Sequence, residues 1–219
     1  MKGNTMGTIA VIGASGYVGG NIAKEALSRG HEVIAVSRTT PPETHDGLTW
    51  RKGDIADAAL LRELSSQAST IVIAIHGAVD GEDYLVKFVP TLLSIAADSG
   101  ARLGFVGGAG SLFVSEGGPR LFDTPEFPEA FLHEAKAQSR ALDVLRASDS
   151  SADWFYVSPA AGFGSYAPGE RTGHYRTGGE ILLFDESGTS FISGEDFAIA
   201  FLDEIEKPSH SRSRFGVAY

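Results

Sequence analysis

Apolar positions along this chain alternate between two spacings at a steady pace. Residues 8–12, Thr-Ile-Ala-Val-Ile, form an apolar run of strand length, after which Val18, Ile22, Ala23, Ala26 and Leu27 recur at helical spacing. Arg29 and Gly30 then close that helix with a cation and a left-handed cap. Residues 32–37 read as a second buried strand and 48–52 as a third, followed by a helix near 56–66. Residues 70–75, Thr-Ile-Val-Ile-Ala-Ile, are apolar on both faces, as in the middle of a parallel sheet. A helix predicted from about 84 to 97 stops at Gly100, and residues 102–106 supply the next strand. Pro119, Pro125 and Pro128 mark 115–128 as a loop, a helix covers 128–147, and 154–157 is again a strand. Near the end, Ser193-x-x-Asp196 is a variant capping box before an apolar helix over 197–205, and 215–219 offers a last strand.

Strands alternating with helices at this pace predict an α/β fold: a Rossmann-like, doubly wound, mainly parallel sheet with helices on both faces. We find no internal repeat and no linker, so one domain is expected over residues 1–219, its substrate side formed by loops around 107–128 and 160–180.

Composition narrows the chemistry. The 219 residues carry no cysteine, which excludes disulfides, thiolate nucleophiles and iron–sulfur sites. A net charge of −10 argues against nucleic acid as a partner, although a few backbone amides at a helix start can still hold a phosphate. No apolar run approaches bilayer length, and the start, Met1 to Met6, has one charge and no long apolar stretch after it; a soluble, cytoplasmic protein without membrane contact is expected. The histidines show neither i,i+4 pairing nor a carboxylate cluster at metal-ligand spacing, so no metal is expected. Glycine, at 27 residues, is the one excess, and it directs attention to loops where backbone must approach something closely.

The clearest such loop is Gly13-Ala14-Ser15-Gly16-Tyr17-Val18-Gly19, between the first strand and the first helix. Gly13 permits the tight turn, Gly16 lets backbone approach a pyrophosphate, and Gly19 lets helix pack on strand. The helix-start N–H groups then face the anion with the positive end of the macrodipole behind them. The second strand ends Val36-Ser37-Arg38-Thr39 with no carboxylate for a ribose 2′-hydroxyl. Arg38 can pair with a 2′-phosphate and Ser37 can add a neutral donor, which favours NADP(H) over NAD(H); a solvated surface arginine is the plainer alternative. Asp54 and Ile55 fall beside the adenine or simply begin a helix. Ile75, His76 and Gly77, after the fourth strand, fall near the groove, where His76 either lines it or assists proton transfer.

These residues resemble the atypical short-chain dehydrogenase/reductase superfamily, whose signature has the same G-x-x-G-x-x-G spacing. The likeness extends through Arg102 to Leu112, Asp153-Trp154, Pro159, Arg171-Thr172-Gly173-x-Tyr175-Arg176, Ile192-Ser193 and Asp196, segments similar to bacterial proteins described as NADH-flavin reductases. That subgroup is related to biliverdin-IXβ/flavin reductases and to NmrA-like dinucleotide sensors. The resemblance implies NAD(P)(H) as cofactor. One departure stands out: no tyrosine is followed four residues later by lysine, and Tyr84 with Lys87 comes no closer than three. The usual general acid–base pair of short-chain reductases is thus missing, which weakens a sugar epimerase or dehydratase reading.

Hydride transfer to a flat conjugated acceptor needs less from the protein, because charge spreads over the ring and solvent can supply the proton. Gly107, Gly108 and the following residues would form one wall for such a ring, and Pro159, Ala160, Ala161 and Phe163 the other. Ser111 is the candidate donor to nicotinamide or substrate, with a turn-capping role as the alternative. Tyr175, in a long loop that also holds Tyr166, Arg171, His174 and Arg176, is the candidate for stacking on the substrate; core packing of Tyr175 and ion pairs for the arginines are equally open. The expected function is an NADPH-dependent reductase of a small planar acceptor such as FMN, FAD or a quinone, working as a monomer or homodimer. A non-catalytic NADP(H)-sensing regulator is the main alternative.

Overall fold

The computed structural model describes residues 7–39 and 46–219. Its strands are β1 (Thr8–Ile12), β2 (Glu32–Ser37), β3 (Leu48–Lys52), β4 (Thr70–Ile73), β5 (Ala78–Val79), β6 (Glu82–Asp83), β7 (Arg102–Val106), β8 (Trp154–Ser158), β9 (Arg176–Gly178) and β10 (Ser213–Ala218). The helices are α1 (Tyr17–Ser28), α2 (Ala58–Gln67), α3 (Val89–Ser99), α4 (Glu129–Ala147) and α5 (Gly194–Glu206). Eight strands form one sheet in the order β3-β2-β1-β4-β7-β8-β10-β9, all parallel except β9, which pairs antiparallel with β10 at the edge. β5 and β6 make a separate two-stranded ribbon.

Alternating strand residues sort into two cores. Ile9, Val11, Val33 and Phe155 pack with α1 and α5, while Ala10, Ile12, Ile71, Phe105 and Tyr156 pack with α2, α3 and α4. Both faces are therefore covered, as the continuous apolar runs require. The largest fully buried side chains, Trp154, Tyr156, Phe105 and Phe155, crowd the middle of the sheet on β7 and β8, each worth roughly 1.5–3 kcal/mol of burial. The strand order reverses between β1 and β4, so their connections leave on opposite sides and open a crevice at the carboxyl ends.

Several boundaries differ from the sequence reading for local reasons. The helix expected from about 84 is a 3-10 turn at Leu85–Lys87 followed by α3, because Pro90 fits only a first helical turn. β4 ends at Ile73, and Ala74 N–H still donates to the Ile12 carbonyl at 2.9 Å before Ile75 leaves the sheet. The glycine-rich stretch after residue 162 is partly strand, since β9 lies within it. The variant capping box forms only half: Ser193 Oγ accepts from Asp196 N at 3.0 Å, but the Asp196 carboxylate turns away to Thr172, Gly173 and Tyr219. Gly30 and Gly100 adopt φ of +84° and +77° just beyond α1 and α3, as helix-ending glycines do.

Candidate functional site

The corner after β1 is backbone packed on backbone. Gly13 sits at φ +87°, and a Cβ there would lie 2.2 Å from the Ala74 carbonyl oxygen. A Cβ on Gly19 would lie 2.3 Å from the Gly13 carbonyl oxygen, so neither position accepts a side chain without opening the corner. Gly16 is the N-cap of α1, donates its N–H to Gly13 O at 2.9 Å, and leaves the helix start with no side-chain cap and no acidic residue in the first turn. Such an end suits an external anion. The backbone therefore fits a pyrophosphate.

From this corner a groove of about 810 Å³ runs across the ends of β1, β4, β7 and β8. Its floor and walls take Gly16, Tyr17 and Val18 from the corner, Ile75 and His76 from the β4 loop, Gly107 to Gly110 after β7, and residues 159–166 after β8. Gly107 is obligatory, because a Cβ would fall 1.9 Å from the Tyr156 ring. The 159–166 segment is held from behind by Gly162 N–H to Ser190 O at 2.8 Å and Ala161 N–H to Ser190 Oγ at 3.1 Å. Tyr17 fastens it further, donating to Pro168 O at 3.1 Å while its hydroxyl accepts from Gly194 N at 3.0 Å.

α4 supplies the remaining wall. Glu134 accepts N–H bonds from Gly77 and Ala78, both 2.8 Å, and one from Gln138 Nε2 at 3.1 Å. Gln138 also donates to Ile75 O at 3.2 Å, and Tyr156 donates to Gln138 Oε1 at 3.3 Å. Burial works against charge on Glu134, yet His76 and the two backbone donors hold its carboxyl below the usual range. His76 Nδ1 lies 3.7 Å from Glu134 Oε1, and that partner raises the imidazole pKa despite partial desolvation and the nearby Arg38. Farther out, the rings of Phe131 and Tyr166 stack across the groove mouth with centroids 6.0 Å apart and planes at 17°.

The predicted site residues divide accordingly. Gly16, Tyr17, Val18, Ile75, His76, Gly107, Gly108, Pro159, Ala160, Ala161 and Phe163 line the groove. Gly13 and Gly19 build the corner beneath it, in the same turn as exposed Ser15, and Gly77 is anchored to Glu134. Arg38 is exposed just beyond β2, whereas Ser37 is buried and its hydroxyl donates to the Thr39 carbonyl. Asp54 accepts from Ala56 N at 2.9 Å and from the Tyr84 hydroxyl at 2.8 Å, and Ile55 is core.

The structure does not bring the two candidate catalytic residues into the groove lining. Ser111 is buried outside the groove lining, its hydroxyl accepting from Arg214 Nη1 at 2.7 Å. Tyr175 packs on the α1/α5 side and donates to Asp203 Oδ2 at 2.6 Å; burial and that bond push its phenol pKa up, making it a poor acid. Arg171 forms the ion pair of the plainer reading, with Glu25 at 2.7 Å, whereas Arg176 donates to the Phe184 carbonyl at 2.8 Å. Sequence reasoning missed Phe131, Glu134 and Gln138, whose signal is their spacing along one face of α4. Among the described residues there is no cluster of three or more metal-ligating side chains, and no helix long and apolar enough to cross a membrane.

A family model described as NAD(P)H-binding matches residues 13–208. The chain belongs to this NAD(P)H-binding family. Within reach of it stands YwnB of Bacillus subtilis, 41% identical over 212 residues that cover 95% of this chain and 97% of that protein. A Streptococcus pneumoniae crystal structure described as "a putative NADH-flavin reductase" is 37% identical, with a TM-score of 0.85 over 97% of this chain and 99% of that one. A "putative epimerase" from Bacteroides thetaiotaomicron is 36% identical, with a TM-score of 0.87 over 98% of each chain. The NAD(P)H-binding match begins at the glycine corner itself, whose cradle the backbone geometry had already set out.

Proposed function

We propose that this protein is an NADPH-dependent reductase that passes hydride to a flavin or a similar planar acceptor such as a quinone. The carrying observation is the make-up of the groove: small residues at 107–110 and 159–162, aromatic rings at the mouth, and a carboxylate, Glu134, already committed to two backbone amides. Nothing in that set matches a tyrosine whose pKa a lysine lowers, which an alcohol–ketone reaction would call for. The description of the Streptococcus relative as a flavin reductase supports the same reading.

The glycine corner and first-turn amides of α1 would hold the pyrophosphate, and Arg38 would meet the 2′-phosphate. When bound, reduced nicotinamide supplies one hydride; with one proton from solvent this completes a two-electron reduction of the acceptor. Gly107, Gly108 and Ala160 allow a ring to approach backbone closely. Glu134 and Gln138 hold the 75–78 loop as a fixed wall, and His76 presents a protonatable ring beside it.

The test is steady-state NADPH consumption with FMN, FAD, riboflavin and a quinone panel. Turnover well above the acceptor-free background is expected. Its absence with every acceptor, together with cofactor-state-dependent binding of a partner protein, would instead support a dinucleotide sensor.

A further inference from the structure

We propose that Phe131 and Tyr166 form an aromatic clamp that takes the outer ring of a fused, flat acceptor between them and so selects conjugated planar substrates, the hydride-accepting ring lying deeper in the groove with one face left open to the nicotinamide. The inference rests on the reductase reading above and assigns the place where the acceptor binds.

Phe131 and Tyr166 are among the few exposed large apolar side chains of the described residues, at 49% and 67% exposure, and both line the groove. They come from separate segments, the first turn of α4 and the loop after β8, yet their planes lie within 17° of parallel. Neither ring is needed by the core. Exposed aromatic surface held parallel across a groove mouth is suited to stacking on another ring.

The separation fits a closed clamp that opens. Two faces each in carbon contact at ~3.5 Å with an intervening ring need ~7 Å between them. The present centroid distance is 6.0 Å, so the rings must part by at least ~1 Å. The backbone around Tyr166 can supply this. It sits in a tight turn closed by Ala167 N–H to Gly164 O at 3.0 Å, with Gly164 and Gly169 at φ +146° and +64° on either side. On either side of the 164–167 turn the loop is fastened, at Gly162 by Ser190 and at Pro168 by Tyr17. Movement is thereby confined to the turn carrying the ring, while the inner groove keeps its shape.

A flat conjugated ring presents two parallel π faces and meets both side-chain rings at once.

Two readouts test it, with FMN as the turnover probe and riboflavin as the binding probe. Phe131→Ala and Tyr166→Ala should each raise the KM for FMN about tenfold while changing the KM for NADPH less than twofold. Tyr166→Phe, which keeps a ring, should rescue most of the loss; Tyr166→Leu, which keeps bulk but no ring, should not. Riboflavin fluorescence should be quenched on binding to wild type, and each alanine variant should shift that titration to higher concentration. Unchanged FMN KM in both alanine variants, an equal rise in NADPH KM, or no riboflavin quenching with wild type would overturn the clamp. Turnover by wild type with unaltered variants removes the clamp and leaves the reductase reading intact. Riboflavin binding that depends on both rings, without turnover of any acceptor, removes the reductase reading and leaves the clamp.

Discussion

The two ends of the groove are built by different means. At the β1 corner, backbone meets backbone: Gly13, Gly16 and Gly19 lie within one turn, and each clash a Cβ would make is with main chain only a few residues or one strand away. At the other end the wall is assembled from side chains brought together across the fold. α4 contributes Phe131, Glu134 and Gln138, the 159–166 loop contributes its aromatic turn, and the chain end secures the following loop through Tyr219 and Asp196. The first construction tolerates almost no substitution and serves a ligand common to a whole family. The second can change residue by residue while the strands stay put, which is where acceptor choice can diverge among relatives.

The largest expected effect is at the backbone end. Gly13→Val combines a side chain at φ +87° with a 2.2 Å approach to Ala74 O, and should destabilise by about 4 kcal/mol. Denaturant unfolding measures it; a loss under 1 kcal/mol would mean that the corner can relax and that the contrast is overstated. Next comes Asp196→Ala at the side-chain end. This fully buried carboxylate accepts from Thr172 N and Oγ1, Gly173 N and the Tyr219 hydroxyl, and its removal strands those donors at about 3 kcal/mol. NADPH affinity should stay within twofold, since the corner does not depend on it.

This contrast also explains what could be read from the chain. The β1–α1 corner, the strand order's parallel character and the helix-ending glycines are local, written in runs and spacings of a dozen residues. The surroundings of Ser111 and Tyr175 were not legible because their neighbours in sequence are not their partners in space: Arg214 lies 103 residues from Ser111 and Asp203 lies 28 from Tyr175, and nothing near either residue announces them. The Glu134–Gln138 pair was hidden for the opposite reason. On α4 it reads as an ordinary polar face, and only its contact with Gly77 and Ala78 makes it a wall.

A smaller effect follows from the bond between Ser111 and Arg214. Ser111→Ala should lower stability by about 1 kcal/mol, through the lost bond to Arg214, and leave kcat within twofold. A tenfold fall in kcat with unchanged stability would return Ser111 to the chemistry.

The subtlest probe is pH. Glu134 raises the His76 pKa, so this pair's contribution to stability is complete below the ordinary value of ~6.5 and fades as pH rises through the elevated folded value. An NMR titration should place the His76 midpoint above ~6.5, and Glu134→Gln should bring it back down. A midpoint at or below the ordinary value in wild type would contradict the contact.

The most direct test of the central claim is calorimetric titration of wild type and Arg38→Ala with NADPH and with NADH. A charge-assisted bond to the extra phosphate, at roughly 1.5–3 kcal/mol, predicts that Arg38→Ala weakens NADPH by ~10- to 100-fold and leaves NADH within twofold. Equal loss for both nucleotides, or no heat of binding with either one on wild type, would contradict the account.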